Sequence, residues 1–372
     1  MTSLEDVELT EELPSLHREL PASIYGDPER YARELERVLR RQWLLAAPLA
    51  EVPERGGLAV VAARAPVLVT RDGEIVRAFH NVCTHRGSAV VSDRAAGDRL
   101  ICPYHGWTYG LDGRVLALPG EKRFGDLDRG GCGLPEVAAR VWSGLVWVNL
   151  AERPQPFDEW LGPWRTELER YRMDRQVVLG SRVDRLPLNW KASIDAFNET
   201  YHVGFVHPQS VGRLVHAKAT RFRYGGLHSR GVIPVRQRLS EAEGRAGRGD
   251  GRQRHGKELL PEQAGDHCNY TLFPAVMLNL LATWGIVLRF EPLDVASTEL
   301  RTWMLADPPR SERHEAALAA QWREFQKVLE EDLEALALVA VGLGSPAFRT
   351  IHLGGEEERL IRFHDAVEAA LA

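Results

Sequence analysis

Apolar residues along this chain change their spacing twice. Between residues 27 and 44, Tyr31, Leu35, Val38, Leu39 and Trp43 recur at steps of three and four, the period of one helix face. Asp27 precedes Pro28, an N-cap followed by a residue suited to the first helical position, so a helix is predicted from there through Leu44. From Leu44 to Leu150 the period shortens. Leu58 to Ala62, Val67 to Thr70, Ile75 to His80 and Val141 to Leu150 are short runs rich in Val and Ile, divided by Gly, Pro and Asp-Gly. Asp72-Gly73 and Asp112-Gly113 are hairpin signals, and the stretch reads as a small β-rich module.

After Pro154 the pattern is mixed. Trp164 to Tyr171 predicts a helix, Arg182 to Leu188 a strand, and Lys191 to Val206 another helix. Ser240 to Glu258 is polar and rich in Gly and Arg, which predicts a mobile loop, a lid or a tolerated surface insertion. Asn269 to Pro292 and Ser297 to Ala306 predict strands of one antiparallel sheet. Glu312 to Val341 carries a long helical pattern and Gly355 to Leu371 a shorter one. No internal repeat interrupts this order. Strands followed by long helices, without regular alternation, predict an α+β fold rather than a doubly wound one.

The length of 372 residues suits two domains at roughly 100–200 residues each. With Lys plus Arg at 47 and Asp plus Glu at 52, the net charge of −5 lacks the basic footprint of a nucleic-acid binder. A hydrophobic share of 44% excludes general disorder, and four cysteines are too few for a disulfide scaffold. Met1 to Leu20 is acidic, unlike a signal peptide, and no run approaches the ~20 apolar residues of a membrane span. A cytoplasmic chain with no nucleic-acid or membrane partner is the expectation.

Chemistry enters at Cys83-Thr-His85 and Cys102-Pro-Tyr-His105. Two thiolates and two imidazoles suit either zinc or an iron–sulfur cluster. Interleaved ligands favour the cluster, because each segment then gives one ligand to each iron and two loops clamp a flat group from opposite sides. Gly87, Gly106 and Gly110 let backbone N–H groups approach cluster sulfurs. Cys132 and Cys268 have no such partners and read as ordinary buried thiols. Cys83-Thr-His85-Arg86-Gly87 and Cys102-Pro-Tyr-His105-Gly106-Trp107, followed by Tyr109 and Asp112-Gly113, resemble the two cluster loops of the Rieske family in its oxygenase branch.

A second constellation follows Asn189-Trp190-Lys191. If Lys191 to Val206 is one helix, Asp195, Glu199 and His202 share a face at steps of four and three. His207 joins them only where the helix widens or ends, as Gly204 and Pro208 permit. Two neutral imidazoles and a carboxylate, with positions left open, form the facial triad of oxygen-activating non-heme iron. Tyr-His202-Val-Gly-Phe-Val-His207 resembles the mononuclear-iron motif of Rieske oxygenases, whose third ligand is a carboxylate on a distant helix. Glu330-Glu331-Asp332-Leu333 resembles that segment, with Asp332 at the ligand position and Glu331 as the alternative; a solvated acidic face is the bland reading. The commoner pattern has Asp where this chain has Glu199, and Glu resembles branches acting on quaternary amines such as carnitine and betaines. The resemblance implies that Glu199 orients His202 and the partner subunit's His105, a structural ion pair being the competing reading. Asp195 is a candidate to support it, or a helix-surface acid.

The resemblance implies an N-terminal all-β Rieske [2Fe–2S] domain (44–155) and a C-terminal antiparallel β-sheet catalytic domain flanked by helices (156–372, Bet v 1-like, helix-grip). Residues 1–43 would form a helical arm packing on the catalytic domain. It further implies a terminal oxygenase that uses O2 and electrons from NAD(P)H, through a reductase or ferredoxin, to hydroxylate a small substrate at mononuclear Fe(II). Phe273, Met277, Leu280 and Trp284 are the pocket candidates; they are apolar, and no acid precedes Glu291 in that stretch, which favours an apolar or aromatic substrate. Glu199 points instead to a monooxygenase or demethylase acting on a quaternary amine or methylated substrate. An electron carrier holding only the Rieske cluster and a zinc-stapled binding module are the remaining alternatives. The chain length resembles subunits that form homotrimers without a small β-subunit. Arg86, Arg114, Lys122 and Arg123 would steer an acidic electron donor, or are plain solvated charge.

Overall fold

The computed structural model describes residues 5–7, 16–236 and 257–372. Most of the expected loop at 240–258 lies outside them; Lys257 and Glu258 are described. In chain order the strands are β1 (Glu5–Val7), β2 (Arg18–Pro21), β3 (Leu44–Pro48), β4 (Arg55–Ala62), β5 (Ala65–Asp72), β6 (Ile75–His80), β7 (Arg94–Ala96), β8 (Arg99–Ile101), β9 (Thr108–Gly110) and β10 (Val115–Ala117). They continue with β11 (Glu136–Trp142), β12 (Leu145–Asn149), β13 (Val177–Leu186), β14 (Arg221–Gly225), β15 (His228–Ile233), β16 (His267–Leu272), β17 (Val276–Leu280), β18 (Trp284–Asp294), β19 (Ser297–Ala306) and β20 (Thr350–Leu353). The helices are α1 (Pro28–Arg37), α2 (Phe157–Leu161), α3 (Trp164–Glu169), α4 (Trp190–Phe197), α5 (Val203–Val206), α6 (Pro261–Gly265), α7 (Glu312–Leu343) and α8 (Glu358–Leu371).

Two compact units result, residues 39–157 and residues 1–38 with 158–372. The first is all-β: a seven-stranded sheet ordered β3-β12-β11-β6-β5-β4-β7 and a three-stranded sheet ordered β10-β9-β8. Both Asp-Gly pairs turn hairpins as expected, β5 into β6 and β9 into β10. The run Val141 to Leu150 is not one strand. Ser143 and Gly144 take positive φ and fold it into the β11–β12 hairpin. Its core packs Leu68, Phe79, Leu100 and Trp107 around Cys83 and Cys102.

The second unit is an eight-stranded antiparallel sheet, β1-β14-β15-β16-β17-β18-β19-β13, with helices beside it and a small β2–β20 sheet. This is the α+β architecture. Asp27 accepts hydrogen bonds from the N–H groups of Glu29 and Arg30 and starts α1, which ends at Arg37, well short of residue 44. The long apolar pattern beyond it belongs to a tight turn and then β3. Lys191, fully buried on α4, donates to Glu34 Oε2 at 2.6 Å, and Trp190 Nε1 donates to the same oxygen at 2.9 Å. The Asn189-Trp190-Lys191 motif thus caps α4 and clamps it to α1. Burial pulls the Lys191 ammonium down to about 8, opposed by the Glu34 carboxylate. Among the described residues no helix is long and apolar enough to cross a membrane.

Candidate metal centres

The loop of Cys83 and the loop of Cys102 are built alike. Cys83 N–H donates to Ser88 C=O at 2.7 Å and its carbonyl accepts from Gly87 N–H; Cys102 donates to Trp107 C=O at 2.8 Å and accepts from Gly106 N–H. Gly87 and Gly106 hold φ of 77° and 73°, the left-handed turn that closes each loop and that a side chain resists. Asn81, buried, ties the first loop down through Val90 and Val91.

Both cysteines are buried, His85 is half-buried and His105 exposed. The two imidazoles meet with centroids 4.6 Å apart, and His85 stacks on Trp107 at 4.9 Å with Phe124 against its edge. Tyr109 Oη lies 3.2 Å from Cys83 Sγ. Burial would raise the Cys102 thiol, yet the N–H groups of Tyr104 and His105 and the Cys83 and Ser88 side chains hold it below its ordinary value. Loss of solvation, then the neighbouring His85 and Arg86, lowers His105, which favours a neutral ring. No three of these four residues bring ligand atoms within 4.8 Å of one another, whereas the triad below does. One zinc ion needs that closeness; a two-iron group, with thiolates inside and imidazoles outside, does not. Nearby, Arg86 covers the Tyr104 ring, Arg114 pairs with Asp112 at 3.7 Å, and Lys122 and Arg123 are exposed. Cys132 and Cys268 are buried, without a ligand cluster among the described residues.

The expected helix 191–206 breaks. α4 stops at Phe197, Asn198 caps it, and α5 begins only at Val203. Glu199 sits in the turn, where its Oε2 accepts the N–H groups of Tyr201 and His202 and its Oε1 lies 2.5 Å from His202 Nδ1. His207 ends α5 with ψ of 40°, which brings it round to His202 at a centroid separation of 5.4 Å. From α7, Asp332 Oδ1 stands 2.9 Å from His207 Nε2 and 3.7 Å from His202 Nε2. One ligand atom each from His202, His207 and Asp332 falls within 4.8 Å of the others. Glu331 takes the opposite nitrogen, His207 Nδ1, at 2.7 Å, and also accepts from Ser210 Oγ. Adjacent acids of the helix thus address the two sides of one imidazole. Burial would lower His207, but Asp332 and Glu331 raise it.

Asp195 does not join them. It lies on α4 before the break, where Oδ2 meets Tyr25 Oη and His364 Nε2, the latter at 2.8 Å, and Oδ1 has no hydrogen-bond partner among the described residues. The four pocket candidates also divide. Thr271, which donates to Asn198, and Met277 are cross-strand partners on one face, whereas Leu280 pairs with Cys268 on the opposite face. Phe273 packs on Phe363, and Trp284 lies at the far end of β18, beside Ala306. Residues that sequence reasoning missed include Ser210 and Arg359. Arg359 is buried against Ser229 and Thr271 with no carboxylate partner among the described residues; burial lowers its guanidinium to about 10. No sequence spacing marks them.

Residues 159–372 match the model of the ring hydroxylating alpha subunit (catalytic domain), and residues 42–137 match the Rieske [2Fe-2S] domain. The glycine betaine monooxygenase oxygenase subunit of Pseudomonas aeruginosa is 35% identical over 199 residues, 53% of this chain and 46% of that protein, so the match spans under half of that relative. The choline monooxygenase of Spinacia oleracea is 27% identical over 89% of this chain and 73% of its own length. The large oxygenase component of a naphthalene 1,2-dioxygenase system of Pseudomonas aeruginosa is 28% identical over 76% and 70%. The crystal structure of the quaternary ammonium Rieske monooxygenase CntA superposes with a TM-score of 0.80 at 19% identity, covering 98% of this chain and 99% of that one, a likeness of fold. The family carries a Rieske [2Fe–2S] cluster and a mononuclear iron, and the donor sets above suit both. This chain belongs to the ring-hydroxylating oxygenase α-subunits, with a Rieske domain preceding the catalytic domain.

Proposed function

We propose that the chain is a terminal oxygenase, fed with electrons from NAD(P)H through a reductase, with or without a ferredoxin, that inserts oxygen from O2 into a small organic substrate. The observation carrying this reading is the convergence of His202, His207 and Asp332 while both Nδ1 atoms are engaged by Glu199 and Glu331. Cys83, His85, Cys102 and His105 would hold the cluster, and the triad the iron; when bound, the one relays single electrons and the other activates dioxygen. Glu199 and Glu331 keep each Nδ1 protonated and each Nε2 free to ligate, fixing tautomer and ring orientation. Asp195 acts from behind, holding Tyr25 and His364 against the end of α4. We take 44–155 as the cluster domain, 156–372 as the catalytic domain and 1–43 as an arm upon it, in a cytoplasmic homotrimer.

Two substrate classes are in view. An apolar or aromatic substrate accords with Met277 and with the naphthalene dioxygenase relative. A quaternary or methylated amine is favoured by Glu199, by the betaine and choline monooxygenase relatives, and by charge supplied from outside the strands. Burial, then the negative charges of Glu199 and Asp195, raises the Glu357 carboxyl against the Gly354 N–H that lowers it. Arg359, with Asn198 and Thr271, lines a cavity of about 220 Å³ and would meet a carboxylate at the other end of a zwitterion. Anaerobic purification should give about three irons and two sulfides per chain. With NADH and a surrogate reductase, glycine betaine, choline, carnitine and naphthalene are compared for O2 uptake, formaldehyde and hydroxylated product. Formaldehyde release with an amine supports the favoured class. Two irons instead of three, with no substrate-dependent O2 uptake, would return the chain to the electron-carrier reading.

A further inference from the structure

The geometry points to a second, independent metal site at the surface of the β2–β20 sheet, formed by His17, Glu19 and His352 and suited to Zn2+ with solvent in the open position. The sequence sets it up through strand alternation. Glu19 and His352 are direct cross-strand partners, and His17, two residues before Glu19, projects to the same side. The other side of this two-stranded sheet is apolar, with Leu20, Ile351 and Leu353 packed against Ile24 and Leu360. The three polar side chains are therefore held up to solvent by a buried floor.

Their ligand atoms are spaced as a metal would space them. His17 Nε2 lies 3.2 Å from His352 Nδ1, Glu19 Oε1 lies 3.5 Å from His352 Nδ1, and His17 Nε2 lies 3.8 Å from Glu19 Oε1. Ligands bound tetrahedrally at 2.0–2.2 Å stand about 3.3 Å apart. The two rings lie nearly parallel, 14° between planes, with centroids 5.4 Å apart, and the two nitrogens are within hydrogen-bond distance in the absence of an ion. Two imidazoles with one carboxylate form the donor set of open zinc sites, softer than the all-oxygen sets of Mg2+ or Ca2+. Solvent reaches the site, with the side chains 58–62% exposed, and no residue of the iron triad takes part. A bound ion would tie residues 17–19 to β20.

The test uses iron-loaded full-length protein and ZnCl2 alone, comparing wild type with His17→Ala and His352→Ala at equal iron and sulfide content. Both substitutions are at exposed positions, and an unchanged circular dichroism spectrum and thermal midpoint confirm folding. Wild type is expected to bind one more Zn2+ per chain than either variant, or to bind it at least tenfold more tightly. Hydrogen exchange at residues 18–20 should slow with Zn2+ in wild type alone. Equal zinc stoichiometry and affinity in all three proteins, or zinc that binds only by displacing iron, would overturn the site.

Discussion

Glu331 Oε2 and His207 Nδ1 stand 2.7 Å apart, on the side of the ring opposite Asp332. A metal-bound imidazole is oriented by what its second nitrogen meets, and losing such a partner lowers metal affinity or activity by 10–100-fold. Glu331→Gln should therefore lower iron affinity by about that factor, while Glu330→Gln, one residue earlier, leaves it unchanged. Chelator competition at fixed iron reads the difference; equal retention in both variants would show Glu331 to be surface charge.

Glu199 is engaged on three sides within its own turn, by two backbone N–H groups and by His202. Glu199→Ala should leave the cluster absorbance intact and suppress turnover by roughly 10–100-fold. Glu199→Asp, shorter by one methylene, separates reach from charge. Normal turnover in the alanine variant refutes the positioning role.

The iron turn also rests on a residue with no side chain. A Cβ at Gly212 would stand 2.5 Å from the His207 carbonyl oxygen and 3.1 Å from that of Val203. Both obstacles are backbone, so relief would have to move α5 itself. Gly212→Ala should cost about 1–3 kcal/mol and lose iron along with stability. The thermal midpoint and the iron content per chain decide it, and an unchanged pair shows that the turn adapts.

Both candidate metal motifs are legible in the sequence because each gathers its donor residues into a short stretch. Cys83 and His85, or His202 and His207, are brought together by one turn. Asp332 was legible only through resemblance, since its neighbours Glu330, Glu331 and Glu334 look alike in sequence. The structure separates Glu331 from Asp332 by which ring nitrogen each faces. Helical periodicity placed Asp195 beside Glu199, but the helix breaks at Asn198, and Asp195, before the break, meets Tyr25 and His364. The charged groups Arg359 and Glu357 come from α8 and the turn before it, so a reading confined to the strands found only apolar residues. Pairing across 130 residues, as between Ser229 and Arg359, leaves no local pattern to read.

Tyr109 Oη, 3.2 Å from Cys83 Sγ, also meets Thr84 N–H and Oγ1, which hold it in place. A hydrogen bond to a cluster ligand stabilises the more negative, reduced state. Tyr109→Phe should lower the cluster's reduction potential without changing its iron or sulfide content. Spectroelectrochemical titration of both proteins measures this, and an unmoved potential would mean that the hydroxyl serves Thr84 alone.

Acid should weaken the catalytic unit through His228. Its Nε2–H donates to Trp160 C=O at 2.8 Å while Nδ1 accepts from Phe273 N–H at 3.0 Å, an arrangement open only to the neutral ring. Burial pulls the group down to about 4, against about 6.5 in the unfolded chain. Between those values the unfolded chain binds a proton that the folded one refuses, so stability falls as pH drops from 6.5 towards 4, by on the order of 3 kcal/mol. His267, half-buried and lowered to about 4 by loss of solvation, acts in the same direction. His228→Leu loses two hydrogen bonds and should melt below wild type at pH 7. Because it has no proton to take up, the gap between the two proteins should narrow at pH 4.5. A gap of equal size at both pH values would mean that His228 does not titrate with folding.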